Sequence, residues 1–222
     1  ISSDVPGNDL STIASGTTVK DETIKEDAFN ILAKYDLWKK LNLSKEDFWE
    51  TPKEDKYFEN VSSILILSNK TALLAMQQKA KELGFKAKII SDKFQAEAKF
   101  AGRILVEDAL PYTVLLIGGE TTVKVKDNGK GGRNQELVLG SLPYIDKETI
   151  ISSFDSDGWD NSSFAGAIGD IQTLTKAKKL RLNPQKFLDS NDSFNFFEKV
   201  GDGIITGRLP SNVSDLMVVI KK

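Results

Sequence analysis

Residues 112–117, YTVLLI, decide the fold class of this chain. They form a short apolar run, which predicts a strand buried on both faces of a sheet. A helical pattern from about Phe94 to Ala109 precedes the run and ends before Pro111, and residues 86–90 (KAKII) predict another strand before that helix. Strand, helix and strand in this order predict a parallel crossover unit.

The same alternation continues on both sides of this unit. Upstream, residues 61–67 (VSSILIL) predict a strand, and Ser68 or Asn69 caps a predicted helix that Gly84 ends. Downstream, residues 121–126 (TTVKVK) alternate as an antiparallel or edge strand does. The remaining predicted elements are helices over 133–142, 164–179, 184–189 and 192–199, and strands over 148–154, 203–206 and 215–220. We therefore expect an α/β fold, with a mainly parallel, mixed sheet covered by helices in a Rossmann-like three-layer domain.

The first 60 residues have a different pattern. Residues 1–20 predict loop, residues 21–41 a helix with Asp21 as its N-cap, and residues 44–50 a second short helix. The polar stretch 51–60 contains Pro52 and predicts a connector. We expect residues 1–59 to be the end of an N-terminal domain with a helical connector, and residues 60–222 to be a C-terminal α/β domain. Because the turn-rich start lacks Met, we expect a truncated or proteolysed product.

Composition narrows the chemistry that this chain can perform. Its 222 residues carry a formal charge of −2, which disfavours a strongly basic nucleic-acid binder. The chain has no Cys and no His, which excludes thiolate metal sites and catalysis by cysteine or histidine within it. Carboxylates, Lys, Arg, hydroxyls, backbone N–H groups and hard metal ions remain, and they suit phosphoryl transfer. No apolar run approaches the ~20 residues that span a bilayer, so we expect a cytoplasmic protein with no membrane partner.

The glycine-rich stretch KVKDNGKGGRNQE at 124–136 is the first candidate site. Its glycines can turn successive N–H groups toward an anion, the following helix adds a positive dipole end, and Lys130 and Arg133 supply cations. We therefore predict phosphate binding here. The alternative is a glycine-rich turn with solvated basic residues. The stretch is neither a Walker A sequence nor the GxGxxG of a dinucleotide fold.

The acidic stretch DSDGWD at 155–160 is the second candidate. Three carboxylates at the end of a predicted strand can hold Mg²⁺ or hydrogen-bond a polyol. The alternative is an acidic surface turn. Two further segments carry weaker signals. Asp4 lies in a turn-forming stretch. Asn191 or Asp192 is predicted to be a helix N-cap, and the aromatic residues that follow are predicted to belong to a core.

Taken together and in order, several stretches resemble the class II glycerate kinases, the glycerate 2-kinase family with a MOFRL-type C-terminal region. The stretches are SDVPGND at 3–9, IASG at 13–16, GGETTVKV at 118–125, GKGGRNQE at 129–136, SDGWD at 156–160, AGAI at 165–168, NDSFNFFE at 191–198, GDGIITG at 201–207 and NVSDL at 212–216. They run the length of the chain. Departures such as Asn8 in place of Asp, Thr17 in place of Pro and GRLPSN at 207–212 fall in loops.

The resemblance implies an enzyme, a glycerate 2-kinase that uses ATP and Mg²⁺ to phosphorylate D-glycerate, most often at the 2-hydroxyl to give 2-phosphoglycerate. Family members are longer two-domain proteins whose site lies between the domains. The part that precedes SDVPGND in the family includes a lysine thought to be catalytic, so the resemblance implies a missing N-terminal domain as a partner and a fragment that is inactive alone. The resemblance is also compatible with a homodimer.

Carried over by position, the resemblance implies catalytic roles for Arg133, Asp4 and Asp157. Arg133 would contact the migrating phosphoryl group or the glycerate carboxylate. Asp4 would polarise the acceptor hydroxyl or bind a metal ion, and Asp157 would contact Mg²⁺ or substrate hydroxyls. The residues implied to bind phosphate, nucleotide or substrate are Gly129, Lys130, Gly131, Gly132, Asn134 and Glu136. A structural role is implied for Asn212 and Asp215.

Two other functions stay open at this stage. A noncatalytic ligand-binding or regulatory domain would retain the fold without the catalytic lysine. A hydroxypyruvate reductase, a name sometimes attached to relatives, would need a nicotinamide site, yet no GxGxxG follows a strand here.

Overall fold

The computed structural model describes residues 7–222, and residues 8–65 and 66–222 form two compact units. The first unit contains α1 (Lys25–Lys34), α2 (Leu37–Lys40) and short 3₁₀ turns. The single helix predicted over 21–41 is wrong, because Asp36 takes a left-handed conformation (φ 52°) that separates the two helices. Ile24 rather than Asp21 is the N-cap of α1, since the Asp21 carboxylate accepts from the N–H and hydroxyl of Thr23.

The second unit is an α/β domain built on a mixed sheet of six strands in the order β1-β2-β6-β3-β4-β5. Its strands are β1 (Lys86–Phe94), β2 (Thr113–Gly119), β3 (Thr149–Asp155), β4 (Gly166–Gly169), β5 (Gly203–Ile204) and β6 (Asp215–Lys221). Its helices are α3 (Asn69–Glu82), α4 (Ala98–Glu107), α5 (Arg133–Ser141), α6 (Ile171–Lys179), α7 (Pro184–Asp189) and α8 (Ser193–Val200). The α/β class is confirmed. In residues 7–222 no helix has the length and apolar character that a membrane span requires.

Most strand pairs are antiparallel, contrary to the predicted predominance of parallel pairing. Among the strands of residues 7–222, only β1 and β2 are parallel neighbours, and the crossover helix α4 connects them. The last strand of the chain, β6, enters between β2 and β3 and runs antiparallel to both, while β4 and β5 add as antiparallel neighbours. The parallel unit predicted around residues 112–117 is therefore correct, but the late return of β6 was not visible in a local pattern.

The sheet separates two apolar cores because successive residues of a strand face opposite sides. Val114 and Leu116 of β2 pack with Leu73 of α3 on one face. Leu115 and Ile117 pack on the other face, in a larger core that includes residues of α4, α5 and α8. This gives the expected three layers.

Three predicted elements differ in the structure. Residues 61–67 form no strand, and Ile64 and Ile66 are 82% and 90% exposed, since no neighbouring described strand pairs with them. Residues 121–126 also form no strand; a single bridge joins Thr122 to Glu97. Residues 166–169 form β4 rather than the start of a helix, and α6 begins only after Asp170, whose carboxylate caps it.

Helices α4 and α5 approach each other closely through two glycines. A Cβ on Gly102 would lie 2.1 Å from the carbonyl oxygen of Leu137, and one on Gly140 would lie 2.4 Å from that of Lys99. No side chain fits in this contact, so the glycines fix how closely α5 packs on α4.

We predict that Gly102→Ala destabilises the protein by about 2–4 kcal/mol, because the added methyl group must push α5 away from α4. At an ordinary helical site the same substitution stabilises the helix by about 1 kcal/mol. A loss of stability at Gly102 would therefore identify the close contact between the helices as its cause. Urea denaturation measures it. An unchanged or increased free energy of unfolding would show that the contact does not restrict the helices.

Candidate active site

Arg133, the first residue of α5, lies among three carboxylates. Its Nε is 2.6 Å from Oδ2 of Asp215, its Nη2 is 3.1 Å from both Oδ1 of Asp215 and Oδ2 of Asp155, and its Nη1 is 3.1 Å from Oε1 of Glu120. Asp215 is fully buried and Asp155 nearly so. The guanidinium fork is thus held by carboxylates of the protein itself, in the planar geometry that favours Arg over Lys.

The sheet register explains why these carboxylates converge. Asp155 ends β3, Asp215 begins β6, and the two residues are direct partners in the antiparallel pair. Gly119, at the end of β2, faces Asp215 from the other side, and Glu120 follows it. Like charges on directly opposed residues destabilise a sheet, so the cation of Arg133 compensates for an unfavourable arrangement that the topology creates.

One guanidinium does not neutralise all of the surrounding negative charge. Burial, with the neighbouring charges of Asp215 and Asp157, raises the pKa of Asp155 to about 7. Burial also raises the pKa of Asp215 to about 6, although its hydrogen bonds to Arg133 oppose the change. Burial alone would lower the pKa of Arg133, but its hydrogen bonds and charge interactions with the carboxylates raise it overall. The cluster therefore retains excess negative charge near neutral pH, which favours an added cation.

Asp160 fixes the first turn of α5. Its carboxylate accepts hydrogen bonds from the backbone N–H groups of Asn134 and Gln135 and from both side-chain amides. The sequence predicted that the dipole at this helix end acts on an external anion together with the N–H groups of the glycine-rich loop. In the structure the carboxylate of Asp160 caps the helix end from within the chain.

The glycine-rich loop before α5 lines a cavity of about 470 Å³. The cavity walls include Gly129, Gly131, Gly132 and Arg133. In the described part of the chain, the N–H groups of Gly131 and Gly132 donate no hydrogen bond, and they remain able to bind an anion. The Lys130 ammonium lies over the ring of Phe194, 3.6 Å from its centroid, which holds this cation at the loop.

Asn134 and Glu136 extend from α5 in different directions. Asn134 is buried; its amide donates to Asp215 at 2.8 Å and its carbonyl oxygen accepts from the hydroxyl of Ser153. It supports the carboxylate cluster. Glu136 lines the cavity, and burial raises its pKa while a 2.9 Å hydrogen bond from Asn191 opposes that change.

Asp157 lies next to the carboxylate cluster in the loop after β3. Its backbone N–H donates to Asp155, and its carboxylate accepts from the N–H of Trp159. Among residues 7–222 no set of three carboxylates is arranged to hold a metal ion. Mg²⁺ normally binds through one or two carboxylates together with substrate phosphates, so the carboxylate of Asp157 fits the donor set that such an ion takes.

The structure brings Arg133, the glycine loop and Asp157 to one end of the sheet, whereas Asp4 lies outside the described residues. The sequence analysis missed the positioning roles of Glu120, Asp155 and Asp160 and gave Asp215 only a structural role. For Glu120, Asp155 and Asp215 the available signal was their position at the ends of strands, since ligands bind at such edges of α/β sheets.

Comparison with known proteins gives a consistent result. Residues 113–215 match the MOFRL family and residues 1–49 match a domain of unknown function, DUF4147. The chain is 39% identical to the glycerate 2-kinase of Pyrococcus horikoshii over 99% of this chain and 54% of that protein. It is 35% identical to the D-glycerate 2-kinase of Thermotoga maritima over 97% and 54%.

A solved glycerate kinase structure is also similar to this chain. The crystal structure of a glycerate kinase from Thermotoga maritima matches with a TM-score of 0.89 at 34% identity, and the match covers 99% of this chain and 56% of that one. The resemblance found in the sequence is confirmed. The chain spans about half the length of the curated relatives it matches.

We predict that Asp160→Ala lowers the free energy of unfolding by about 2–4 kcal/mol, because several buried amide donors lose their acceptor. Thermal or urea denaturation measures the loss. The control is Asp170→Ala, which removes the cap of the partly exposed helix α6 and should cost only about 1 kcal/mol. Equal losses would contradict a special role for Asp160.

We predict that Asp155 makes stability fall as the pH rises. Its folded pKa of about 7 exceeds the usual value of 3.8 for an aspartate, so its contribution to stability is fully present below pH 3.8 and is lost as the pH approaches 7. Between about pH 5 and about pH 8, the wild type should lose about 1–3 kcal/mol more than Asp155→Asn. Denaturation at both pH values measures this. The exposed control Asp108→Asn should keep the wild-type profile, and parallel profiles for Asp155→Asn would contradict the assignment.

Proposed function

We propose that this chain, which belongs to the family that combines a DUF4147 domain with a MOFRL region, is part of an ATP-dependent kinase that phosphorylates D-glycerate at the 2-hydroxyl. The product is 2-phosphoglycerate. The observation that carries the proposal is the similarity to two glycerate 2-kinases over 99% and 97% of the chain. The site around Arg133 supports it, because its guanidinium, carboxylates and loop N–H groups suit phosphoryl transfer.

In the proposed reaction the 2-hydroxyl oxygen of glycerate forms a bond to the γ-phosphorus of ATP while the bond to ADP breaks. Gly131 and Gly132 offer N–H groups to the phosphate, and Lys130 and Arg133 place positive charge beside it. Arg133 remains tied to Asp215, which fixes its orientation before the substrate binds. The hydroxyl proton passes to a carboxylate of the cluster, and Asp155, with a pKa of about 7, is suited to accept it.

Mg²⁺ is the cation that we assign to the excess negative charge of this cluster. Asp157, beside the cluster, would hold it together with phosphate oxygens. When bound, Mg²⁺ neutralises charge on the phosphates. A bound Mg²⁺ would also reduce the repulsion between the phosphate and the carboxylates that the site already contains.

D-glycerate-dependent release of ADP, measured with ATP and Mg²⁺, tests the proposal. The assay compares the complete gene product with the 222-residue chain. We expect activity from the complete product, and activity from it alone would mean that the other half of the protein supplies essential groups. No activity from either, with nucleotide still bound, would overturn the proposal in favour of a ligand-binding domain.

We predict that Arg133→Lys lowers turnover by the complete gene product at least about tenfold, because an ammonium cannot keep the carboxylates and the phosphate aligned at once. Steady-state kinetics measure the loss. The control Arg103→Lys changes an exposed arginine on α4 that pairs with Glu107, and it should leave turnover unchanged. Equal turnover for wild type and Arg133→Lys would remove Arg133 from the mechanism.

A further inference from the structure

Residues 124–130 form a loop whose backbone is held by side chains instead of by a neighbouring strand. The N–H of Lys126 donates to Oδ1 of Asn191 at 2.8 Å, and the carbonyl oxygen of Lys124 accepts from Nδ2 of Asn191 at 3.4 Å. A single amide therefore binds one donor and one acceptor of the loop. This arrangement explains why the alternating sequence at 121–126 does not form the predicted strand.

Asn191 also connects the loop to α5. Its Nδ2 donates to Oε2 of Glu136 at 2.9 Å, and its side chain is largely buried. Asn191 lies between α7 and α8 with a φ of 54°, in the left-handed region that Asn tolerates better than most residues. Of the two N-cap candidates that the sequence offered, Asn191 and Asp192, the structure has Asp192 as the N-cap of α8. The amide of Asn191 instead contacts the loop and α5.

The neighbours of Asn191 reinforce the contact with the loop. Oδ1 of Asp192 accepts from the N–H of Lys130 at 3.0 Å, and the N–H of Phe194 donates to the carbonyl oxygen of Lys130 at 2.9 Å. A Cβ on Gly129 would lie 2.2 Å from the carbonyl oxygen of Ser190. The loop therefore lies directly on residues 190–194, and its glycine permits the close approach.

We propose that Asn191 is a positioning residue that fixes the shape of the glycine-rich loop by binding the loop backbone and the buried carboxylate of Glu136 at the same time. The loop in turn sets the cavity wall at Gly129, Gly131 and Gly132. Its effect on catalysis rests on the proposed function, whereas its effect on loop structure does not.

The chemistry of the contact requires an amide. Toward Lys126 the side chain must accept a hydrogen bond, and toward the Glu136 carboxylate it must donate one. An aspartate in this place would set two carboxylates against each other, which cannot both be ionised at this distance. The other charged groups that act on Glu136 are Lys99 and Glu97 from the start of α4 and Asp160 from the loop after β3.

Limited trypsin digestion of the 222-residue chain tests loop positioning without any substrate. Cleavage after Lys124 and Lys130 requires the loop to leave residues 190–194, and cleavage after the exposed Lys34 serves as an internal reference. Mass spectrometry identifies the fragments. Asn191→Ala should increase cleavage in the loop about tenfold relative to the reference. The control Asn183→Ala removes the cap of α7 and should leave cleavage in the loop unchanged.

Asn191→Asp supplies a test by rescue. At about pH 6 the two carboxyl groups share a proton, the aspartic acid donates to Glu136, and the loop should be protected as in the wild type. At about pH 8.5 the shared proton is lost and cleavage in the loop should rise about tenfold, while the wild-type ratio to the reference stays constant. Because protection returns in the same variant, this result also separates positioning from a failure to fold.

Kinetics of the complete gene product then connect the loop to the reaction. Asn191→Ala should raise the KM for ATP with a smaller change in kcat, since the loop lines the proposed phosphate site. Unchanged cleavage in both Asn191 variants would overturn the proposal. Increased cleavage with unchanged kinetics would confirm the contact but overturn its link to catalysis, and absence of glycerate kinase activity in the wild type would refute the proposed function separately.

Discussion

The ion pairs of Arg133 with Asp215, Asp155 and Glu120 connect the parts of this domain that the chain topology brings together. The carboxylates lie at the ends of neighbouring strands, and the arginine begins the helix that packs across the sheet. One cation among three acidic groups leaves negative charge to be compensated. Burial, together with this imbalance, raises the pKa values of Asp155 and Asp215. In the proposed reaction an added cation would compensate for the negative charge that remains.

Two further residues fix the backbone that surrounds this cluster. Asp160 caps α5 and thereby fixes the direction in which Arg133 leaves the helix. Asn191 binds the preceding loop and the next turn of α5 at Glu136. The loop and the helix are therefore positioned by side chains that come from later parts of the sequence.

The sequence predicted the local elements well where the pattern was strong. The β1–α4–β2 unit, α5 and the acidic stretch at 155–160 lie close to their predicted positions, because buried apolar runs and helix boundaries carry local signals. The exposed segment 61–67 has the same apolar signal but lacks a described strand partner. The position of β6 between β2 and β3 depends on long-range pairing, so the direct opposition of Asp155 and Asp215 could not be read from local periodicity.

In the proposed function, the glycine-rich loop and Arg133 bind the phosphate that is transferred. A crystal structure of the complete gene product with a non-hydrolysable ATP analogue, Mg²⁺ and D-glycerate tests this most directly. We expect the terminal phosphate to contact the N–H groups of Gly131 and Gly132 and to lie beside Arg133. A nucleotide whose phosphates bind away from this loop, with the Arg133 cluster unchanged and distant, would contradict it.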